Sequence, residues 1–217
     1  MTERFMQPLD VRAMTDHQPF CAGVVWVRDG KVAITLNTDG IPEALEGRVM
    51  RVGGVGGGQE PGETIAECAL REAQEELGNL NVRLLSSPVT FFHNMDTDEV
   101  VQVPCIDETP PLLLQRKTNG NPDVPYKPGL PTGPYVYFGL YSAETDEARI
   151  NPEDDVAAIL FVPVERWPIL EQGATLGQMV ELGSELLERA PIPREMRLWV
   201  PENESMRTVM RLLFPPD

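Results

Sequence analysis

The sequence predicts one α/β domain over residues 1–217, a mixed sheet layered between helices in an α/β/α sandwich. Three observations predict it. Apolar, β-branched runs stand on both sides of a single amphipathic helix. The last quarter of the chain, residues 164–217, reads as helical. No internal repeat and no second-domain signal interrupts the series.

The elements follow in order. Residues 1–18 read as an irregular or extended lead-in. Residues 20–27 (FCAGVVWV) form an apolar run of the kind a buried strand shows. Asp29-Gly30 signals a hairpin, with residues 31–36 (KVAITL) as partner strand. Residues 37–46 read as a loop or short helix, and 48–52 as a short strand feeding a glycine run. Residues 64–77 carry alanine, leucine and glutamate in helical spacing, and Gly78 is a natural stop. Ala66, Leu70, Ala73 and Leu77 form an apolar stripe there. Strands are expected at 81–85 and 89–92, broken by Ser87-Pro88, and again at 99–103. His93, at a strand end, reads as structural or exposed.

Residues 104–134 change character. Eight prolines fall within these 31 residues, with Arg116, Lys117 and Lys127 among them. The stretch reads as an irregular insertion between the helix and the next strand. Such insertions serve as binding loops, as solvated surface loops or as dimer arms. A homodimer is therefore left open, and Arg116 and Lys117 are candidate substrate contacts. Residues 135–141 (YVYFGLY) and 156–162 (VAAILFV) read as strands, the second entered through an acidic turn holding Glu153 and Asp155. Thr175 can cap a helix with apolar positions at Leu176, Met179, Val180, Leu186 and Leu187. Ser205 can cap a last one.

Charge narrows the function. With 34 acidic against 18 basic residues, the formal charge is −16. That argues against DNA or another polyanion as an unassisted partner. A small phosphorylated substrate stays compatible, because bound divalent cations reverse the local field. The three cysteines, Cys21, Cys68 and Cys105, are widely spaced and read as free thiols. No run reaches membrane-spanning length and no leader is visible, so the expected setting is cytoplasmic and off the membrane.

The chemistry concentrates at residues 53–80. A glycine run (Gly53, Gly54, Gly56, Gly57, Gly58, Gly62) precedes the helix. Glu72, Glu75 and Glu76 stand at i, i+3 and i+4 on that helix. Clustered like charges destabilise a bare helix. A hard cation such as Mg²⁺ or Mn²⁺ relieves the repulsion and can bridge to phosphate oxygens. A solvated acidic face is the plainer reading of the same three residues. Two other glycine-loop motifs do not fit. A dinucleotide fingerprint needs its helix directly after G-x-G-x-x-G, and here the helix begins only after Pro61. A P-loop needs lysine where Glu63 stands.

The same residues resemble the Nudix box, G-x5-E-x7-R-E-U-x-E-E-x-G-U, with U a bulky aliphatic residue. Gly57, Glu63, Arg71, Glu72, Glu75, Glu76 and Gly78 supply every fixed letter at its spacing. The U positions depart: Ala73 is small and Asn79 polar, with Leu80 next to it. The resemblance implies the Nudix fold, and hydrolysis of a phosphoanhydride in a nucleoside diphosphate linked to another group. It implies Mg²⁺ or Mn²⁺ held by Glu72, Glu75 and Glu76 with a backbone carbonyl near Gly56. It implies that Arg71 pairs with Glu63 and orients the glutamates. The general base is Glu72 or a carboxylate on a later loop, Glu153 or Asp155. An isomerase, or a module that binds a nucleotide without cleaving it, are the alternatives on the same fold. No auxiliary motif marks a particular nucleotide.

Overall fold

A computed structural model describes residues 7–78, 81–145, 150–153 and 155–215. In chain order the elements are α1 (Val11–Thr15), β1 (Phe20–Val25), β2 (Val27–Arg28), β3 (Lys31–Asn37), β4 (Val49–Gly53), β5 (Val55–Gly58) and α2 (Ile65–Glu76). There follow β6 (Arg83–Leu85), β7 (Thr90–Asn94), β8 (Glu99–Val103), β9 (Leu113–Thr118), β10 (Tyr135–Glu144) and β11 (Ala158–Pro163). The chain ends with α3 (Trp167–Glu171), α4 (Leu176–Glu181), β12 (Glu185–Glu188), β13 (Arg197–Trp199) and α5 (Ser205–Leu213). The class is α/β, with two mixed sheets, each within one of two compact units.

The first unit takes the chain up to Val24, then Gly56–Glu72 and Arg83–Glu144. Its sheet runs β5-β1-β10-β9-β7-β8, with β6 also on β10. Only β7 and β9 pair in parallel among the registers described; β10 pairs antiparallel with β9 and β6, and β7 with β8. Val11 of α1 and Ile65, Cys68 and Ala69 of α2 pack on Phe20, Ala22, Leu114, Tyr137 and Tyr141 of this sheet. Gly139 makes room for the helix: a Cβ there would lie 2.6 Å from Ile65 Cδ1. Burying aliphatic and aromatic side chains of this size stabilises by about 1.5–3 kcal/mol each.

The second unit holds Val25–Val55, Ala73–Val82 and the chain from Thr145 on. Its sheet runs β12-β11-β3-β4-β13, with β2 on β3 and only the β13–β4 pair parallel. All six residues of β11 are buried, as are six of seven in β3. This explains why both read as unbroken apolar runs rather than alternations. Asp29 and Gly30 both have positive φ (49° and 73°), the geometry that lets a two-residue turn follow the strand twist. Trp26 meets Phe161 edge-on at 5.2 Å, and the Arg28 guanidinium lies over the Phe161 ring at 4.4 Å.

Four expectations need correction. Residues 104–134 are not one irregular insertion: Leu113–Thr118 is β9, paired on both sides by β10 and β7. The prolines flank this strand and none lies inside it, so the segment looks like loop in composition while its middle completes the sheet. Residues 164–217 are not wholly helical either. Gly183 (φ 96°) ends α4, and Leu186 and Leu187 lie on β12, beside β11. The lead-in contains α1, capped by the Asp10 side chain accepting from the Ala13 amide at 2.9 Å. The cap of α5 is Glu204, not Ser205; its carboxylate accepts from the Met206 amide. Asn79 and Leu80 lie outside the described residues. Among the described residues no helix is long and apolar enough to cross a membrane.

Candidate active site

Strand β5 is the glycine run itself, and its glycines answer to close approaches. At Gly56 (φ 150°) a Cβ would lie 2.5 Å from the Ala22 carbonyl oxygen, so β5 lies tightly on β1. At Gly57 a Cβ would collide with the Glu72 carboxylate, whose Cδ would be 2.7 Å away. Any larger residue at Gly57 would displace that carboxylate.

Helix α2 starts on a reciprocal cap. The Thr64 amide donates to Glu67 Oε2 at 2.8 Å, and the Glu67 amide to Thr64 Oγ1 at 3.3 Å. Its buried positions are Ile65, Cys68, Ala69, Ala73, Glu76 and Leu77. Ala66 and Leu70 are only half-buried, so the packed stripe is turned from the one periodicity suggests. Glu72 and Glu76 fall at i+7 and i+11 of the series that begins at Ile65, which puts them on the packed face of the helix. Glu76 is 5 % exposed, whereas Glu75 is exposed. The expected cluster of three equivalent glutamates on a separate face is thus split. Among the described residues no three His, Cys, Asp or Glu side chains are grouped so as to hold a metal ion.

Arg71 organises the start of the site. Its Nε donates to Glu63 Oε1 at 2.6 Å and its Nη2 to Glu63 Oε2 at 3.0 Å, a two-point pair. Nη1 donates to Glu72 Oε1 at 2.8 Å, and Nη2 also to the Gly58 carbonyl at 2.9 Å. One guanidinium therefore joins the turn before the helix, the helix and the glycine strand. Burial alone would raise the Glu63 pKa. The Arg71 hydrogen bond and charge, with a bond from the Glu60 amide, outweigh it and hold the carboxyl below its usual range. Cys68, wholly buried with its thiol 3.7 Å from Arg71 Nη2, is pushed up to about 12 by burial first and then by Glu63 and Glu72. All three cysteines are free.

At the other end of α2, the later acidic loop caps the helix. The Asn151 amide donates to the Leu77 carbonyl at 3.1 Å and the Glu153 amide to the Glu76 carbonyl at 3.2 Å. A Cβ at Gly78 (φ 57°) would lie 2.9 Å from the Glu153 carboxyl carbon, so the glycine serves both the left-handed helix stop and the seat of Glu153. Asp155 is exposed two residues on.

Arg116 and Lys117 adjoin on β9 and so point to opposite faces of the sheet. They do not line one pocket as a pair. The Arg116 guanidinium is stacked between Tyr135, at 4.5 Å, and Phe92, at 5.5 Å, while Lys117 is exposed. His93 is buried and structural: Gln115 Nε2 donates to its Nδ1 at 2.8 Å, and its Nε2 faces Asp98 at 3.0 Å. What spacing could not show is the Glu153 seat, since the loop and the helix end are far apart in sequence.

A glycine strand, a capped glutamate helix and an arginine that ties them put the box residues of the sequence into one arrangement. The model of the NUDIX domain matches residues 19–181, and the chain belongs to that family. No match was found among curated proteins. Solved structures with a likeness include a Nudix hydrolase from Nitrosomonas europaea, 13 % identical with TM-score 0.36, covering 65 % of this chain and 55 % of that one. This chain thus spans about half of that hydrolase's length. An ADP-ribose pyrophosphatase from Streptococcus suis is 13 % identical, TM-score 0.38, with 68 % and 75 % covered. A bifunctional NMN adenylyltransferase/ADP ribose pyrophosphatase from Francisella tularensis is 13 % identical, TM-score 0.41, with 92 % and 42 % covered.

Proposed function

We propose that the protein hydrolyses the phosphoanhydride bond of a nucleoside diphosphate linked to a second group, with Mg²⁺ or Mn²⁺ as cofactor. The observation that carries this reading is the Arg71 junction, which holds Glu63, Glu72 and the Gly58 carbonyl together at 2.6–3.0 Å. In kind the donors are those a hard cation takes, since Glu72, Glu75, Glu76 and the Gly56 carbonyl all offer oxygen, although the described side chains are not grouped on one ion position. When bound, such a cation neutralises pyrophosphate charge and acidifies a water.

The residues of the chain have separable tasks. Arg71 fixes the orientation of Glu72 and neutralises part of its charge, and Glu63 fixes Arg71. The glycines of β5 let the Glu72 carboxylate lie against the strand. For the proton of the attacking water, Glu153 is the better base than Glu72. Arg71 Nη1 already occupies Glu72 Oε1 at 2.8 Å, which leaves that carboxylate less open to a water. Glu153 is exposed and seated against the helix end. Asp155 is the further alternative.

A panel of nucleoside diphosphates linked to sugars, nucleosides or further phosphates, each with Mg²⁺ or Mn²⁺, tests the reading. A nucleoside monophosphate released with the phosphorylated second group is the expected product pair. Glu153→Gln is expected to lower kcat by about 10²-fold or more and to remove the acid limb of the pH–rate profile, where the base would be protonated. An unchanged profile would return the role to Glu72 or Asp155.

A further inference from the structure

The first unit contains a cavity of about 780 Å³ that the proposed reaction does not use. Its walls come from three separate stretches: α1 and the turn after it, the turn from Gln59 to Thr64, and residues 129–131 of the proline-rich loop. The loop is folded back here, with Gly129 against Pro61 and Gly133 against Gln18. A volume of this size holds a ligand of nucleoside or sugar size.

The lining is chemically specific. Gln59 is buried, 7 % exposed, and its Oε1 accepts from the Phe20 amide at 2.8 Å, which fixes which way the amide faces. Among the described residues its Nε2 group has no partner, and the residue lines the cavity. That donor is left for an acceptor on a ligand in the cavity. Glu63 borders the same space; its oxygens take Arg71 and the Glu60 amide and keep capacity for a further donor. Ala13, Leu130 and Pro131 add apolar lining. The charged residues of the lining are Asp10, Asp16 and Glu63 against Arg12 and His17, which disfavours an anion.

We infer that this cavity is a second binding site, for an uncharged ring bearing hydroxyl groups, such as a nucleoside or a sugar. A hydroxyl both accepts, from Gln59, and donates, to Glu63, while the ring's C–H face meets the apolar lining of Leu130 and Pro131. Phosphate is excluded by the carboxylates.

Calorimetric titration of the full chain with adenosine, D-ribose and inorganic phosphate tests this without turnover, so the result is independent of the hydrolase reading. Saturable binding of adenosine or ribose, none of phosphate, and amide shifts in nuclear magnetic resonance centred on Gln59, Gly62 and Leu130 are expected. Leu130→Trp, or Ala13→Trp on the exposed face of α1, fills the cavity and should weaken that binding at least tenfold. Either variant suffices, and the amide map on the unaltered protein stands if both fold poorly. No binding of either ring, phosphate binding at these amides, or binding that both tryptophans leave unchanged would overturn the inference.

Discussion

The glycine strand with α2 and the segment from 104 to 134 are the two stretches the sequence marks out, and they are held in different ways. Residues 55–78 are held by charge. One guanidinium serves two carboxylates and a carbonyl, and the helix-end glycine Gly78 and the Thr64–Glu67 cap complete the arrangement. Residues 113–118 are held by backbone pairing on both sides and by an arginine stacked between two rings. The difference teaches which effects a substitution can expose. In the first region a lost partner leaves a charge uncompensated in a half-buried setting. In the second a lost side chain leaves the sheet intact.

The largest effect is expected where that contrast is sharpest. Arg71→Ala should cost about 3 kcal/mol or more in stability, as when one partner of a buried pair is removed, and reduce kcat at least a hundredfold. Arg71→Lys keeps the charge but loses the two-point pair to Glu63, so it should rescue stability in part and kcat little. Denaturant unfolding and single-turnover kinetics on each variant measure the two. If Arg71→Lys restored kcat fully, the geometry of the guanidinium would be irrelevant.

Acid should act on the same region first. Glu63 has its folded pKa depressed, so its contribution to stability is present above the ordinary carboxylate pKa near 4.3. It is lost as pH falls through the lower folded value. Glu63→Gln should therefore flatten the loss of stability below about pH 4.3, measured by thermal unfolding across pH. A parallel downward shift, with the acid slope unchanged, would put the depressed carboxyl elsewhere.

Arg116→Ala should be milder, about 1 kcal/mol or so from the lost stacking on Phe92 and Tyr135. KM should not move. A raised KM with stability unchanged would reverse the comparison and make Arg116 a substrate contact. The smallest effect is one of reactivity: Cys68, buried and with its thiol pushed to about 12, should stay unmodified by a thiol reagent in the native protein.

Legibility in the sequence followed the same divide. Gly57, Glu63, Arg71, Glu72, Glu75, Glu76 and Gly78 are readable because helix geometry and a short turn fix their relation within 22 residues. The strands at 20–25, 31–37, 135–144 and 158–163 are readable because their burial leaves apolar runs. β9 was hidden because Gln115, Arg116, Lys117 and Thr118 carry polar side chains on a strand whose backbone is paired on both sides, and prolines surround it. β12 was hidden because Leu186 and Leu187 continue the helical spacing of α4 past Gly183, and only pairing with β11 decides otherwise. The packed face of α2 is not legible in the sequence because a glutamate reads as solvent-facing, and here Glu76 is among the buried residues. The seat of Glu153 depends on a contact across more than 70 residues, which spacing does not encode.

Everything proposed for the site requires that Glu72, Glu75 and Glu76 serve divalent-dependent hydrolysis. Glu76→Gln tests it most directly, because it keeps the shape of a buried side chain and removes its charge. Turnover of the best substrate from the nucleotide panel should fall by about 10²-fold or more, be abolished by EDTA in the unaltered protein, and return with Mg²⁺ or Mn²⁺, while the unfolding midpoint hardly moves. Full turnover by Glu76→Gln, or undiminished turnover in EDTA, would contradict it.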